Sequence, residues 1–524
     1  IAARVDRVVP FYVGLLNRSF RHRNKVLFGG AAIFALSIVA SALWLNVDFM
    51  APSDVGEINL AVKVQPGTTI KDFDTLARRA EKEISAEVPE AVAVEVQFGE
   101  TEGFGAFFGG QSATAGSIFI KLPPIKQRAR RQSEIETAVL RRLASIPGIT
   151  ASVRQEMSFS SGTGDIEIKV VEDDLDKLRE EAEDLVRRIE KLDGVRGVEF
   201  SMELGRPQLG VRLDREQQKA LGLMPAEVVG SISSYYQGNK AGVFREKGDE
   251  YDILVRAPKE RREDARLLGE VPLVTPAGKI VPLRAVATVS EDVGPVTIER
   301  YNQRRVGVVS VYKKPGTPLG PLSDEVKKIT AGRTDIDIGG AASDMEESFL
   351  YLIIALAVSI FLVYGVMAAL FESLLEPFVI LFSIPVMWIG VAAMLILTRT
   401  TLQITALIGL IILVGIVVNN AIVLVDYLKR LRERGMPLVE AALEAGRARL
   451  RPVLMTACTT TLAMVPLALQ LGEGSETWSP MARTVIGGLA ASTILTLFIV
   501  PIVYVMIAGF LDRLRARRRP PADR

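Results

Sequence analysis

The chain has 524 residues, 49% of them hydrophobic and 24% charged, with a mean hydropathy of +0.26. That is too apolar for a soluble enzyme of this length and too charged for a wholly membrane-embedded chain, so a membrane region plus a large aqueous region is expected. A net charge of +2 implies no nucleic-acid partner, while a single cysteine (Cys458) and a single histidine (His22) exclude an internal disulfide framework and a Cys- or His-rich metal site.

The chain opens at Ile1 without a signal-peptide pattern, so a fragment of a longer chain, or a trimmed start, is expected. Residues 1–25 read as an amphipathic cytoplasmic linker helix, followed by the first apolar run, Val26 to Leu45. The block that follows repeats a strand–helix–strand order. "INLAVKV", "TIKDFDTLARRAEKEISAEV" and "VAVEVQF" form one unit; "SIFIKLP", "SEIETAVLRRLASIP" and "TASVRQE" a second; "DIEIKVV", "LDKLREEAEDLVRRIEKLDG" and "VRGVEF" a third. Helices crossing between strands favour layers in which helices cover one face of a sheet. Between Gln208 and Val293 the pattern changes to short helices and short strands, which reads as an inserted piece, and "RRVGVVSVYKK", "PLSDEVKKITA" and "IDIGG" then resume it.

Five more runs pass the roughly 18–20-residue test for a spanning helix: Ser348 to Phe371, Pro377 to Thr398, Leu402 to Val425, Val453 to Leu471 and Thr484 to Leu511. Basic residues cluster before the first run (Arg18, Arg21, Arg23, Lys25), between the fourth and fifth (Lys429 to Arg451) and after the sixth (Arg513 to Arg519). Placing all three clusters in the cytoplasm gives both termini inside, an even number of spans and the large block outside.

No charged side chain falls inside any of the six runs, so this chain alone lacks an obvious proton carrier. The fourth run nevertheless carries adjacent amides, Asn419 and Asn420, in "GIVVNNAIVLVDY". Amides at membrane depth serve either as hydrogen-bond links between helices or as part of a polar site. Asp426 closes that run seven residues after Asn419, about 10 Å along the helix, as a site residue or as a helix boundary facing the basic loop. The threonines near Thr456 either reach a neighbour or bond back onto their own helix, and Arg449 is either a site residue or a positive-inside anchor. "GETEGFGAFFGG", Gly99 to Gly110, interleaves glycines with Phe104, Phe107 and Phe108, which suits a loop offering adaptable apolar surface; Phe98 and Phe159 are further candidates. The alternative is a loop folding its aromatics onto its own subdomain. No P-loop pattern or convergent triad supports ATPase or hydrolase chemistry, and no enzyme is expected.

Three segments carry a family resemblance: "ALFESLLEPFVILFSIPV", "GIVVNNAIVLVDY" with the downstream "RARLRPVLMTACTTTLAMVPLAL", and "IERYN" at Ile298 to Asn302. Together they resemble the resistance–nodulation–division (RND) efflux permeases, in particular their carboxy-terminal half and the multidrug type. The resemblance implies a bundle of six spans (26–46 and five within 347–512) with a basic cytoplasmic tail at 513–524. It also implies an α+β periplasmic region of ferredoxin-like porter subdomains (47–163; 164–207 with 294–342) and an inserted docking subdomain (208–293). It further implies an inner-membrane location in a Gram-negative-type bacterium, no cofactor beyond the proton motive force, and trimers working with a periplasmic adaptor and an outer-membrane channel. The partner holding the proton-carrying aspartates would be an amino-terminal half, on the same or a separate chain. By alignment Asn419 stands where multidrug members carry a lysine, Asn420 on the asparagine after it, Arg449 on an assisting arginine and Thr456 on an assisting threonine. An amide never titrates, so the departure at Asn419 puts the lysine switch in doubt and favours a carboxylate relay in the other half. The function implied is proton-driven export of hydrophobic or amphiphilic compounds, the glycine–phenylalanine loop lying between substrate pockets. A heavy-metal exporter, to which Met157 is the nearest pointer, and a non-transporting regulatory half are the alternatives.

Overall fold

The computed structural model describes residues 2–50, 53–64, 68, 70–98, 115–153, 164–202, 207–293, 298–333 and 335–518. It divides into two units: the first holds Ile1–Lys63, Thr75–Ser201 and Arg300–Arg524, the second Val64–Asp74 and Met202–Glu299.

In the first unit, apart from Val64 and the Ile70–Asp74 start of α3, helices α1 (Ala2–Arg21) and α2 (Arg23–Trp44) precede β1 (Glu57–Val64), α3 (Ile70–Glu87), β2 (Ala93–Phe98) and β3 (Ala115–Lys121). Then come α4 (Gln132–Ala144), β4 (Ile149–Val153), β5 (Ile166–Val171), α5 (Leu175–Ile189) and β6 (Val195–Phe200). One sheet has the order β2-β3-β1-β4, with β1 and β2 both antiparallel to β3. Strict alternation in "EINLAVKV" puts Ile58, Leu60, Val62 and Val64 on the buried side. Helix α5 turns Leu178, Ala182, Leu185 and Ile189 inward at helical spacing, and Asp174 caps its first turn by accepting from the Asp176 and Lys177 amides.

The second unit contains β7 (Pro207–Leu213), α6 (Arg215–Ala220), α7 (Pro225–Tyr236), the exposed hairpin β8 (Asn239–Glu246) and β9 (Asp249–Val255), and the short pair β10 (Pro272–Val274) and β11 (Ile280–Pro282). Strand β12 (Ala287–Val293) pairs antiparallel with β7 over its full length, so the piece closes on its own entry strand. After β13 (Glu299–Tyr301), the chain returns through β14 (Arg304–Lys313), α8 (Leu319–Thr330) and β15 (Ile336–Gly339); the second sheet has the order β13-β14-β5-β15, and β6 also pairs with β14.

The remainder is helical: α9 (Ala341–Phe371), α10 (Leu375–Leu381), α11 (Ser383–Leu397), α12 (Ile404–Glu433), α13 (Leu438–Ala468) and α14 (Ser475–Arg518). Among the described residues six helical stretches are long and apolar enough to cross a membrane, the third being α10 and α11 taken together. Each coincides with a predicted run, but the helices outlast them: α12 continues to Glu433 and α13 starts at Leu438, because backbone hydrogen bonding does not stop where apolar side chains do. The third run breaks at Phe382. Pro385, in the first turn of α11, has no amide hydrogen to donate and crowds the Leu381 carbonyl. Helices α11, α12 and α14 bury half or more of their apolar windows, whereas α2, α9 and α13 bury little or none.

At the α11–α14 crossing the backbones meet through small residues. A Cβ added to Gly390 would overlap the Gly487 carbonyl oxygen and the Ala491 Cβ, and where α14 meets α12 one on Gly488 would overlap the Leu413 side chain. Small residues permit this approach where apolar driving force between helices is weak.

A polar hub ties the helical bundle to the sheets within the first unit. Beyond α2, the Asp48 amide donates to the Leu402 carbonyl (3.0 Å) just before α12, and the Gly320 amide donates to Val47 (3.1 Å). Lys313, ending β14, pairs with Asp48 at 2.9 Å, with both side chains largely buried. Its amide donates to Asp165 Oδ2 (2.8 Å), and the Asp165 carbonyl accepts from the Ala342 amide opening α9 (3.1 Å). Gly340, at φ +79°, makes the turn into α9; a side chain there would press on the Glu167 amide.

Burial raises the Asp165 carboxyl above its ordinary range, with Asp48 adding to the effect, against the lowering by the Lys313 hydrogen bond and by the charges of Lys313 and Arg196. A raised folded-state value means that the stability contributed is complete below the unfolded value and is lost as pH rises through the folded one. Asp165→Asn is therefore expected to gain stability relative to the parent as pH rises from about 4 to about 8. Thermal melts across that range check it, and a pH-independent difference would contradict the assignment.

Candidate functional site

Helix α12 positions the amides. Its buried side includes Leu410, Leu413, Val414, Val417, Val418, Ala421 and Leu424, the three-and-four spacing of one helix face. Ile412, Gly415 and Asn419 fall on the open side, and Asn420 sits half-buried at the edge. That open side forms the floor of a groove of about 800 Å³ between α9 and α13. Leu362, Val366 and Met367 line it from α9, and Thr456 and Thr460 from α13. Nothing lies within 4 Å of a Cβ placed on Gly415, so the floor is uncovered there.

Thr456 Oγ1 donates to Asn420 Oδ1 at 3.2 Å and is also within reach of the Val453 carbonyl at 3.0 Å. Thus both sequence alternatives for Thr456 hold at once: it bonds back onto α13 and across to α12. Thr459 bonds only within its own helix, to the Met455 carbonyl at 2.8 Å. The Thr456 link is exposed and bifurcated, so Thr456→Val is expected to cost only about 0.6 kcal/mol. Equilibrium unfolding in detergent checks this; a loss above about 2 kcal/mol would mean that the contact anchors the helix pair.

The other two candidates lie away from the groove. Asp426 pairs with Arg430 one turn on, at 3.0 Å, and does not line the cavity. Arg449 stacks its guanidinium 4.8 Å from the centre of the Tyr427 ring, and its buried Nε has no acceptor among the described residues. The structure therefore brings Asn419, Asn420 and Thr456 together, and neither Asp426 nor Arg449 joins them. Phe98 ends β2 opposite Gly116, while Phe104, Phe107, Phe108, Phe159 and Met157 lie outside the described residues.

Sequence reasoning passed over Arg483, one residue before the sixth predicted run. It lies inside α14, donating to Thr400 Oγ1 (2.6 Å) and to the Ala468 carbonyl (3.2 and 3.3 Å), and so ties α14 to the end of α13 and to the connection between α11 and α12. An arginine next to an apolar run reads as a flank; only the crossing of α14 with its neighbours makes it a link.

Chemically the groove is a hydrogen-bonding wall. Amides and hydroxyls donate and accept, and no lining residue titrates near neutrality. A bundle of long apolar helices joined to two sheets, with an amide-lined groove between helices, is the framework of an integral membrane protein. The model of the AcrB/AcrD/AcrF family matches residues 2–508, and the chain belongs to that family of RND permeases. It is 28% identical over 513 residues to the cobalt-zinc-cadmium resistance protein CzcA of Cupriavidus metallidurans, covering 94% of this chain and 48% of that protein. To the multidrug resistance protein MdtC of Erwinia amylovora it is 27% identical over 509 residues, covering 93% and 48%. A crystal structure of a heavy metal efflux pump superposes with a TM-score of 0.84 at 26% identity, covering 97% of this chain and 52% of that one. The chain thus spans about half the length of the relatives it matches, and it is an integral membrane protein with the RND permease fold.

Proposed function

We propose that the chain is the carboxy-terminal half of a proton-driven RND efflux transporter, exporting hydrophobic or amphiphilic compounds from the inner membrane and periplasm through an adaptor and an outer-membrane channel. The groove carries this reading. Its wall of Asn419, Asn420 and Thr456 can receive hydrogen bonds from a protonated acid and give them to an ionised one, yet it holds no proton itself. The acids belong to a companion half, docked where α9 and α13 leave Leu362, Val366, Met455 and Leu462 exposed on either side. Protonation of a carboxyl there changes which hydrogen bonds the amides make, and this differential contact is what biases one arrangement of helices over another. The distribution of the basic clusters supports both termini in the cytoplasm and the strand-rich regions in the periplasm, where trimeric assembly and the adaptor would engage them.

Co-purification with its companion half, reconstitution in liposomes and an imposed pH gradient test the reading. Gradient-dependent export of a hydrophobic dye is expected from the pair and not from this chain alone. Proton-coupled export by this chain alone would overturn the account of the site.

Metal cargo is the second reading, favoured by CzcA and the heavy metal pump among the relatives. Against it stands the donor inventory: one histidine and one cysteine in 524 residues, where zinc, cobalt and cadmium favour imidazole and thiolate. The same liposomes loaded with Zn²⁺, Co²⁺ or Cd²⁺ discriminate: export of metal without dye would replace the amphiphile reading. A pair that exports neither would favour a regulatory half-permease.

A further inference from the structure

A second cavity lies wholly within the second unit, far in sequence from the groove. Its volume is about 870 Å³, and it sits at the turn that joins α6 to α7. The turn closes through Gly222 at φ +69°, whose amide donates to the Lys219 carbonyl while the Leu223 amide reaches back to Gln218. A left-handed glycine at a helix end satisfies the last carbonyls and folds the next residue back onto the helix. Leu223 is thereby driven into the core of this unit, whereas Met224 remains 64% exposed beside the cavity.

Three cations line the cavity, Arg212 from β7 with Arg215 and Lys219 from α6, and no lining residue is acidic. None of the three forms an ion pair among the described residues. Two carboxylates beside this turn in sequence are held by backbone amides: Asp214 accepts from the Glu216 and Gln217 amides, and Glu227 accepts from the Met224 amide at 2.8 Å. Between the cations Gln218 is only 4% exposed, and its Nε2 has no acceptor among the described residues. A buried amide donor left unmade is costly, and like charges gathered around one cavity repel. Both penalties are relieved by one kind of occupant, an oxygen anion. The remaining walls, Leu213, Leu223 and Met224, are apolar, so the body behind that anion is apolar too.

We propose that this cavity binds a small amphipathic anion, a carboxylate on a short aliphatic body, with the carboxylate between Arg212, Arg215 and Lys219. A rotation of the Gln218 amide about its last torsion turns Nε2 toward the bound oxygen. The site is independent of the transport reading, since it shares no residue with the groove.

Titration calorimetry on the full chain in a neutral maltoside detergent tests it, using octanoate, octanol and octylamine as probes. Saturable octanoate binding is expected, at least about tenfold tighter than octanol, with octylamine weaker still. Gln218→Met keeps the length and removes the donor; Arg212→Ser with Lys219→Ser removes two exposed charges without touching the core. Each is expected to weaken octanoate by about tenfold or more while leaving octanol unchanged. If Gln218→Met fails to fold, the double variant alone decides. Equal binding of octanoate and octanol, unsaturable uptake, or octanoate affinity unaltered in the double variant would each overturn the proposal. So would absence of octanoate binding together with saturable binding of an acidic peptide, which would make the cavity a protein-docking surface instead.

Discussion

Asn419→Lys, introduced into the assembled permease, is expected to lower proton-coupled export at neutral pH by at least about tenfold and to move its pH optimum in the acidic direction. Asn419 lies on the exposed floor of the groove and makes no hydrogen bond among the described residues, so an ammonium there would point at whatever covers the groove. Facing carboxyls within about 4–6 Å, it would stabilise their ionised form and lower their pKa by about 1–3 units. Each unit costs about tenfold in the protonated fraction at a given pH above the pKa. Asn419→Ala, which removes hydrogen-bonding capacity without adding charge, should reduce the rate and leave the optimum in place. Rates of dye export across a pH series in proteoliposomes are the measurement. If both variants reproduce the parental profile, Asn419 is a packing residue and the proposed coupling role fails.

Gly390→Leu should prevent the helical bundle from assembling. The site has no room for a methyl group, because Gly487 and Ala491 of α14 occupy it, and both α11 and α14 are hemmed in by fully buried neighbours such as Leu395 and Leu489. Overpacking a filled core commonly costs about 1–3 kcal/mol. Here the obstruction is backbone rather than a side chain that can turn away, so a loss of about 3 kcal/mol or more is expected for leucine and a smaller one for alanine. Size-exclusion chromatography of the solubilised protein should show aggregation or loss of the folded peak for Gly390→Leu, and a lowered melting temperature for Gly390→Ala. A leucine variant with parental elution and melting temperature would mean that the two helices do not cross at these glycines.

Neither result rests on the same kind of information. Asn419 and Asn420 stand out in the sequence because amides interrupt an uncharged apolar run, a contrast of polarity that needs no partner to be noticed. Gly390, Gly487 and Gly488 are glycines among many in apolar runs, and nothing local separates a glycine that lets two backbones meet from one that faces lipid. Arg483 and Lys313 are of the second kind as well. One resembles a helix flank and the other the basic end of a strand, until the fold sets Thr400 beside the first and Asp48 beside the second.

By themselves, the residues in order determined where the apolar runs lie and where strands alternate with amphipathic helices. These are short-range properties, set by side-chain periodicity and by the cost of placing polar groups in an apolar medium. They also determined that the fourth run carries amides and no charge. The tertiary structure alone decided which of the five candidates share a site. Asn419, Asn420 and Thr456 meet across α12 and α13, while Asp426 is held by Arg430 and Arg449 by Tyr427. The physical reason is that hydrogen bonds and ion pairs act over about 3–4 Å. Residues 36 positions apart, as Asn420 and Thr456 are, come within that reach only through the packing of one helix on another.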